Sequence, residues 1–367
     1  MPIKQHGKRL KSFKKRSRLA WHRFLRFLNK RWVKWVLIPP FIALVLTWIT
    51  IVFSPVIFPP VKNYDFGVSF SRLQTDHLEV DWRANYNALL DDLQIRKFRL
   101  MSYWNLHEPE RGQLNFDDLD WQMDEAAKRG AKVSLAIGFR QPRWPECHEP
   151  EWAKSLSGHE WKQALYAYIE IVVKRYENHP ALEHWQLENE AVNDWFGTCL
   201  DPDRERLHEE FELVRKITKK PVWASLSDQH GLPLRGPAPD AYGYSIYKIV
   251  FNDKGPEFLH TYVWYPTPLW YHKARAAFIQ TVHKKPMFIH ELQLEPWGGS
   301  PLPTLSIEEQ NRSMSVEQIN NNVYFARQIG FETIYSWGGE WWYWRKTKFG
   351  DHSVWEAVRR EINASRQ

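Results

Sequence analysis

Cysteine is almost missing from this sequence, with two in 367 residues, Cys147 and Cys199. Two thiols are too few for a structural zinc site, and no histidine-rich ligand spacing accompanies them. No G-x-G-x-x-G follows the first strand-like segment, which argues against an open, doubly wound dinucleotide-binding sheet. Internal repeats are absent, and so are low-complexity runs outside a basic N-terminal tail. No motif for a metal or other cofactor is present, so no cofactor is expected.

Charge is missing locally, in two adjoining places. Residues 1–36 hold 13 Lys and Arg but no Asp or Glu, and the rest of the chain then carries 37 basic against 43 acidic residues. The formal net charge of +7 therefore belongs to the tail, and the body is acidic. A nucleic-acid partner is not expected from such a body. Residues 35–58 contain no charged side chain over 24 positions, where about 20 suffice for a helix to cross a bilayer. Pro39 and Pro40 sit in the first turn, where a missing N–H does least harm. Trp35 and Trp48 suit the two interfaces. The stretch is longer than a signal-peptide core and lacks a small-x-small cleavage site. The expectation is a basic cytoplasmic tail (1–34), a transmembrane signal anchor (35–58), a linker (59–63) and an exported catalytic domain (64–363) in the periplasm or at the cell surface. Export permits a disulfide between Cys147 and Cys199.

From residue 64 onward, short apolar runs alternate with helical patterns, as in a parallel sheet built from βα units. Strands are expected at 64–70, 97–103, 131–138, 182–190, 222–228, 241–247, 286–291 and 332–338. Helices are expected near 80–93, 116–130, 159–177, 315–329 and 352–363. Eight strands in about 300 residues predict an α/β fold, a (β/α)₈ barrel, whose active site lies at the C-terminal strand ends. Two of those ends carry chemistry. The fourth closes on Gln186-Leu187-Glu188-Asn189-Glu190, and the seventh on His290-Glu291. Retaining glycoside hydrolysis needs two carboxyl groups about 5–5.5 Å apart, one to attack the anomeric carbon and one to protonate the leaving oxygen.

Asn-Glu ending the fourth strand, with a lone Glu ending the seventh, resembles the retaining glycoside hydrolases of the 4/7 barrel superfamily (clan A). Phe98-Arg99-Leu100 resembles the second-strand arginine segment of that clan, and the Trp104…Glu108-Pro109…Gly112…Phe116 segment and Gln141-Pro142-Arg143-Trp144-Pro145 are similar to its β-galactosidase branches. The resemblance implies Glu190 as acid/base, Glu291 as nucleophile and Asn189 as ligand of the sugar 2-hydroxyl. It also implies Arg99 and Tyr247 as partners that keep the nucleophile ionised, and Trp337 as the aromatic floor of the sugar subsite. The acid/base must hold its proton when substrate binds, which calls for an environment that raises its pKa.

Strict alternation puts Glu188 and Glu190 on one face and Asn189 on the other. Glu188 therefore rivals Glu190, and Glu295 rivals Glu291 more weakly. Among 21 tryptophans, Trp104, Trp144, Trp264, Trp297, Trp337, Trp341, Trp342 and Trp344 fall mostly in expected post-strand loops. Flat rings there suit a carbohydrate ligand, and Trp104 and Trp144 join the candidate substrate-binding residues. The function expected is hydrolysis of β-glycosidic bonds. A transglycosylase of envelope polysaccharide and an inactive carbohydrate-binding barrel are the alternatives. Loops 249–267 and 292–314 are where specificity is expected to be set.

Overall fold

The computed structural model describes residues 35–36, 38–46, 48–49, 59–61, 63–193, 197, 203–225 and 236–366. The chain divides into two compact units, Met1–Ile57 and Phe58–Gln367. In the first, the described residues between 35 and 49 are helical and exposed. Their reach is roughly 20 Å at 1.5 Å per residue, short of the ~30 Å hydrocarbon core. Among the described residues no helix is long and apolar enough to cross a membrane. The transmembrane helix expected over 35–58 is thus not found among them; the tail 1–34 and positions 37, 47 and 50–58 lie outside the described residues.

The second unit is the barrel. Its strands are β1 (Asp65–Ser69), β2 (Lys97–Met101), β3 (Lys132–Ile137), β4 (Leu182–Leu187), β5 (Val222–Ser225), β6 (Tyr242–Ile246), β7 (Met287–Gln293) and β8 (Thr333–Trp337). Every neighbouring pair is parallel, and β8 pairs back onto β1 to close the ring. All eight expected strands are present, each within a few residues of its expected place. Their apolar side chains are buried on both faces, because helices cover the outside and side chains fill the inside.

The helices follow local rules. Gly158–Tyr176 starts at a capping box, Ser157 with Glu160, and buries Leu165, Tyr168, Ile169, Val172, Val173 and Tyr176 along one face. Val316–Ile329 starts at a second box, Ser315 with Gln318, and stops where Gly330 turns left-handed at φ +101°. Asp117–Lys128 carries Asp117, Asp118 and Asp120 in its first turn, where negative charge suits the helix dipole.

Two expectations fail here. Trp341, Trp342 and Trp344 belong to a helix, Gly339–Phe349, and not to a loop, and all three are buried. The indole of Trp341 donates to Gln310 Oε1 and that of Trp342 to the Leu294 carbonyl, both at 2.8 Å, so their polar edges are satisfied inside the core. The stretch after β6 is also more ordered than expected, with an antiparallel hairpin of Ile249–Asn252 and Thr261–Trp264 followed by the helix Leu269–His283.

Candidate active site

The end of β4 leaves the pleat at once. After Leu187 the backbone turns left-handed at Glu188 (φ +57°) and again at Glu190 (φ +45°). These two reversals break the alternation that would set Glu188 and Glu190 side by side. Glu188 folds back over Gly138. There it accepts from the Phe139 and Arg140 backbone amides at 2.7 and 2.6 Å, and from Arg206 at 3.2 Å. Gly138 is left-handed at φ +108°, and a Cβ there would collide with the Glu188 carboxyl group, so glycine suits this fold. Glu188 is consumed by these bonds, which removes it as a rival to Glu190.

Asn189 and Glu190 reach the barrel mouth by the same departure. Arg99, fully buried on β2, holds the site together. Its guanidinium donates to Gln186 Oε1 (2.6 Å), Asn189 Oδ1 (2.7 Å), Glu291 Oε1 (3.0 Å) and the His290 carbonyl (3.3 Å). The other oxygen of Glu291 accepts from the Tyr247 hydroxyl at 2.9 Å. Burial alone would raise the pKa of Glu291, but His290 and Arg99 outweigh it and bring it down to about 2. His290 is itself pushed below its ordinary value by burial, so Arg99 is the lasting positive charge at neutral pH. Burial and the Glu291 and Glu190 carboxylates push the phenol of Tyr247 up, which keeps it a donor.

His290 and Glu291 are neighbours in sequence yet act on the same small space. On β7 the register advances from Ile289 to Glu291 while β6 advances only from Tyr244 to Ser245. The extra residue is a β-bulge, and it turns two consecutive side chains inward. Ser245 lies opposite Glu291 in this register, and its hydroxyl donates to Glu190 Oε1. Glu190 Oε2 accepts from Asn193 Nδ2 at 2.8 Å. The same hydroxyl lies 3.3 Å from His290 Nε2.

Of the residues read from the sequence, Glu190, Glu291, Arg99, Asn189 and Tyr247 form this one constellation. Trp337 closes β8 and lies under the Arg143 guanidinium, 4.0 Å from its ring centre. Arg143 also pairs with Glu295 and, at 3.1 Å, with Glu340, so Glu295 is held in a separate ion cluster and does not stand in for Glu291. Trp144 is 64% exposed on the loop after β3. Trp104 is a correction. It is fully buried, stacks on Tyr168, and donates its indole N–H to Glu108 Oε2 at 2.8 Å. Glu108 Oε1 accepts from the Gly112 amide at 2.8 Å, so the Trp-Glu-Pro-Gly segment braces a loop and Trp104 has no ring face for a sugar.

The sequence reading missed Ser245, His290, Asn193 and Glu146. Ser245 had a signal, since it stands two positions before Tyr247 on the same strand face. His290 had none, because a bulge is not visible in the sequence pattern. Among the described residues no group of His, Cys, Asp and Glu suits a metal ion. Cys147 is disulfide-bonded, and Cys199, the chain's other cysteine, lies outside the described residues.

A family model described as Beta-galactosidase, of glycoside hydrolase 42, matches residues 76–225. Beta-galactosidase Pbg of Clostridium perfringens is 31% identical over 135 residues, covering 32% of this chain and 20% of that protein. Mannan endo-1,4-beta-mannosidase F of Aspergillus fumigatus is 26% identical over 137 residues, covering 29% of this chain and 31% of that protein. The chain therefore spans only a fifth to a third of the length of these relatives. In fold it is similar to an endo-beta-1,4-xylanase of family 10 from Gloeophyllum trabeum, with TM-score 0.52 and 13% identity over 83% of this chain and 99% of that one. The family match over residues 76–225 and the closed barrel of eight parallel strands fit a clan A glycoside hydrolase, and the likeness to the xylanase is one of fold.

Proposed function

We propose that the chain is a retaining β-glycosidase, with Glu291 as nucleophile and Glu190 as acid/base. The observation that carries this reading is the placing of two carboxyl groups, Glu190 after β4 and Glu291 on β7, among different partners. Glu291 is held ionised between Arg99 and Tyr247, and Glu190 accepts from the Ser245 hydroxyl and the Asn193 amide. In the first step Glu291 attacks the anomeric carbon while Glu190 gives its proton to the departing oxygen. In the second, Glu190 takes a proton from water, which attacks the same carbon and releases Glu291. Asn189 would bind the sugar 2-hydroxyl, with Trp337 and Trp144 as aromatic contacts to the substrate. The named activities of the relatives, a β-galactosidase and a mannosidase, support a β-glycoside as substrate.

The test is hydrolysis of aryl β-glycosides of galactose, mannose, xylose and glucose by fragment 62–367 beside its Glu291→Ala variant. Loss of turnover that azide restores, with a β-glycosyl azide as product, is the expected result. Binding of sugar with no turnover by the unmodified fragment would overturn it.

The sequence alone supports a further reading, that residues 35–58 anchor the chain and that the barrel is exported. The 24 uncharged positions and the all-basic flank point that way, and the disulfide at Cys147 suits an oxidising compartment. Full-length protein should stay with membranes through alkaline carbonate washing, and the barrel should be open to protease from outside. Recovery in the washed soluble fraction would refute the anchor.

A further inference from the structure

Glu146 is a third buried carboxyl group at this site, and the two-carboxylate mechanism gives it no part. It stands on the loop after β3, 5% exposed, with a left-handed backbone at φ +75°. That backbone is fixed on both sides. The Glu146 amide donates to the Arg143 carbonyl at 2.7 Å, and its carbonyl accepts from the Gln141 amide at 2.8 Å. Gly197 packs on the side chain so closely that a Cβ there would meet Glu146 Cβ and Cγ at 2.9 Å. The carboxyl group therefore has little room to turn.

Its contact is with Asn189. Glu146 Oε2 accepts from Asn189 Nδ2 at 2.9 Å, and Arg140 Nε stands 3.7 Å from the same oxygen. At the other end of the amide, Oδ1 accepts from Arg99 (2.7 Å) and from the Ser225 hydroxyl (3.3 Å). A side-chain amide has two nearly isosteric orientations, and only its hydrogen-bond partners choose between them. Reversed, Asn189 would set its NH₂ against the Arg99 guanidinium and its oxygen against the Glu146 carboxyl. Arg99 rejects the first, and the ionised form of Glu146 rejects the second. Nδ2 carries two hydrogens, and one goes to Glu146. With Oδ1 already taken twice, the second hydrogen is what Asn189 has to offer a sugar oxygen.

We propose that Glu146 is a positioning residue: it locks the Asn189 amide in the orientation that presents an N–H to the sugar 2-hydroxyl oxygen. This inference rests on the glycosidase reading above and goes beyond it, because the residue acts through Asn189 and does not touch the reacting atoms. Burial and the nearby Glu291 carboxylate push the pKa of Glu146 well above the ordinary carboxylate value, and its carbonyl oxygen accepts from Nδ2 with or without the proton. The neutral amide in Glu146→Gln can make the same bond, whereas Glu146→Leu keeps much of the volume and loses the acceptor.

The experiment compares wild type, E146Q and E146L on a 4-nitrophenyl β-glycoside that the wild type turns over and on its 2-deoxy counterpart, with melting curves to show that each variant folds. E146L should lose roughly tenfold to a hundredfold in kcat/KM on the 2-hydroxy substrate, as expected for a misplaced binding group. Its loss on the 2-deoxy substrate should be less than about threefold, since that sugar offers nothing for Asn189 to bind. E146Q should stay close to wild type on both. Equal losses on both substrates, or a loss in E146Q as large as in E146L, would overturn the inference. Should E146L fail to fold, Asn189→Ala and the double variant N189A/E146Q decide instead. E146Q must then leave the 2-hydroxyl preference of the wild type intact, and N189A must abolish it; any other pattern overturns the inference. Wild-type protein that turns over none of the glycosides removes the glycosidase reading and this inference together, whereas turnover by wild type with E146L unchanged removes this inference alone.

Discussion

Two carboxyl groups of the same kind behave differently here because their neighbours differ. Glu291 meets a guanidinium and a phenol, and Glu190 meets a serine hydroxyl and an asparagine amide. Replacing Glu190 with Gln keeps those contacts nearly intact and removes the transferable proton. Turnover of a poor leaving group, such as an alkyl alcohol, should fall by about 10²–10⁴-fold, the usual worth of general acid–base catalysis. A 2,4-dinitrophenyl glycoside, which leaves without protonation, should keep much of its first-step rate, read from the burst of dinitrophenol. Near-normal steady-state hydrolysis of the alkyl glycoside would remove Glu190 from the role. The complementary variant is Arg99→Gln. Glu291 must be ionised to attack, and the positive neighbours put its pKa near 2, far below the ordinary carboxylate range. Loss of the guanidinium should move the acid limb of kcat/KM upward by roughly one pH unit or more. An acid limb that stays in place would show that Arg99 does not set the charge of Glu291.

At the scale of elements, the strands were legible in the sequence and the loops were not, for a physical reason. Each barrel strand is a short apolar run bounded by helical patterns, and that signal is local. Strand four was the test case. Alternation predicts that Glu188 and Glu190 share a face, and the left-handed backbone at each of them, with Asn189 between, undoes that prediction. The bulge at His290 is equally silent in the sequence, since it exists only relative to β6. A third to a half of the eight tryptophans named from the sequence were expected in the core, and Trp104, Trp341, Trp342 and Trp344 lie there, the first three with their indole N–H groups bonded inside it. Glu146 was unreadable, because its loop is ordered by contacts from three other places: Asn189, Gly197 and the disulfide at Cys147.

Cys147, the residue next to Glu146, is disulfide-bonded. Replacing Cys147 with Ala should lower stability by about 2–4 kcal/mol, the common range for a native bridge. It should also lower kcat/KM on the 2-hydroxy substrate more than on the 2-deoxy one, because the loop that carries Glu146 loosens. Denaturant midpoints and the two rate ratios measure both effects. A stability loss with an unchanged ratio would confine the disulfide to holding the fold.

Across the whole molecule, buried carboxyl groups give the fold opposing responses to pH. Glu291 is held near 2, so its contribution to stability is present above its unfolded value of about 4.5 and is lost as pH falls through 2. Glu340 goes the other way. It is fully buried at the start of the helix Gly339–Phe349, shares Arg143 with Glu295, and is pushed up to about 7, chiefly by burial against the opposing pull of Arg143. In the window between 4.5 and 7 the folded chain holds a proton at Glu340 that the unfolded chain has released. Stability must therefore fall as pH rises across that window, by about 3 kcal/mol for this group. Urea unfolding at pH 5, 6 and 7 should show that decline in the wild type and a flatter profile in Glu340→Gln, whatever the absolute stability of the variant. Equal slopes in the two proteins would mean that Glu340 is ionised throughout the range and that Arg143 compensates its burial in full.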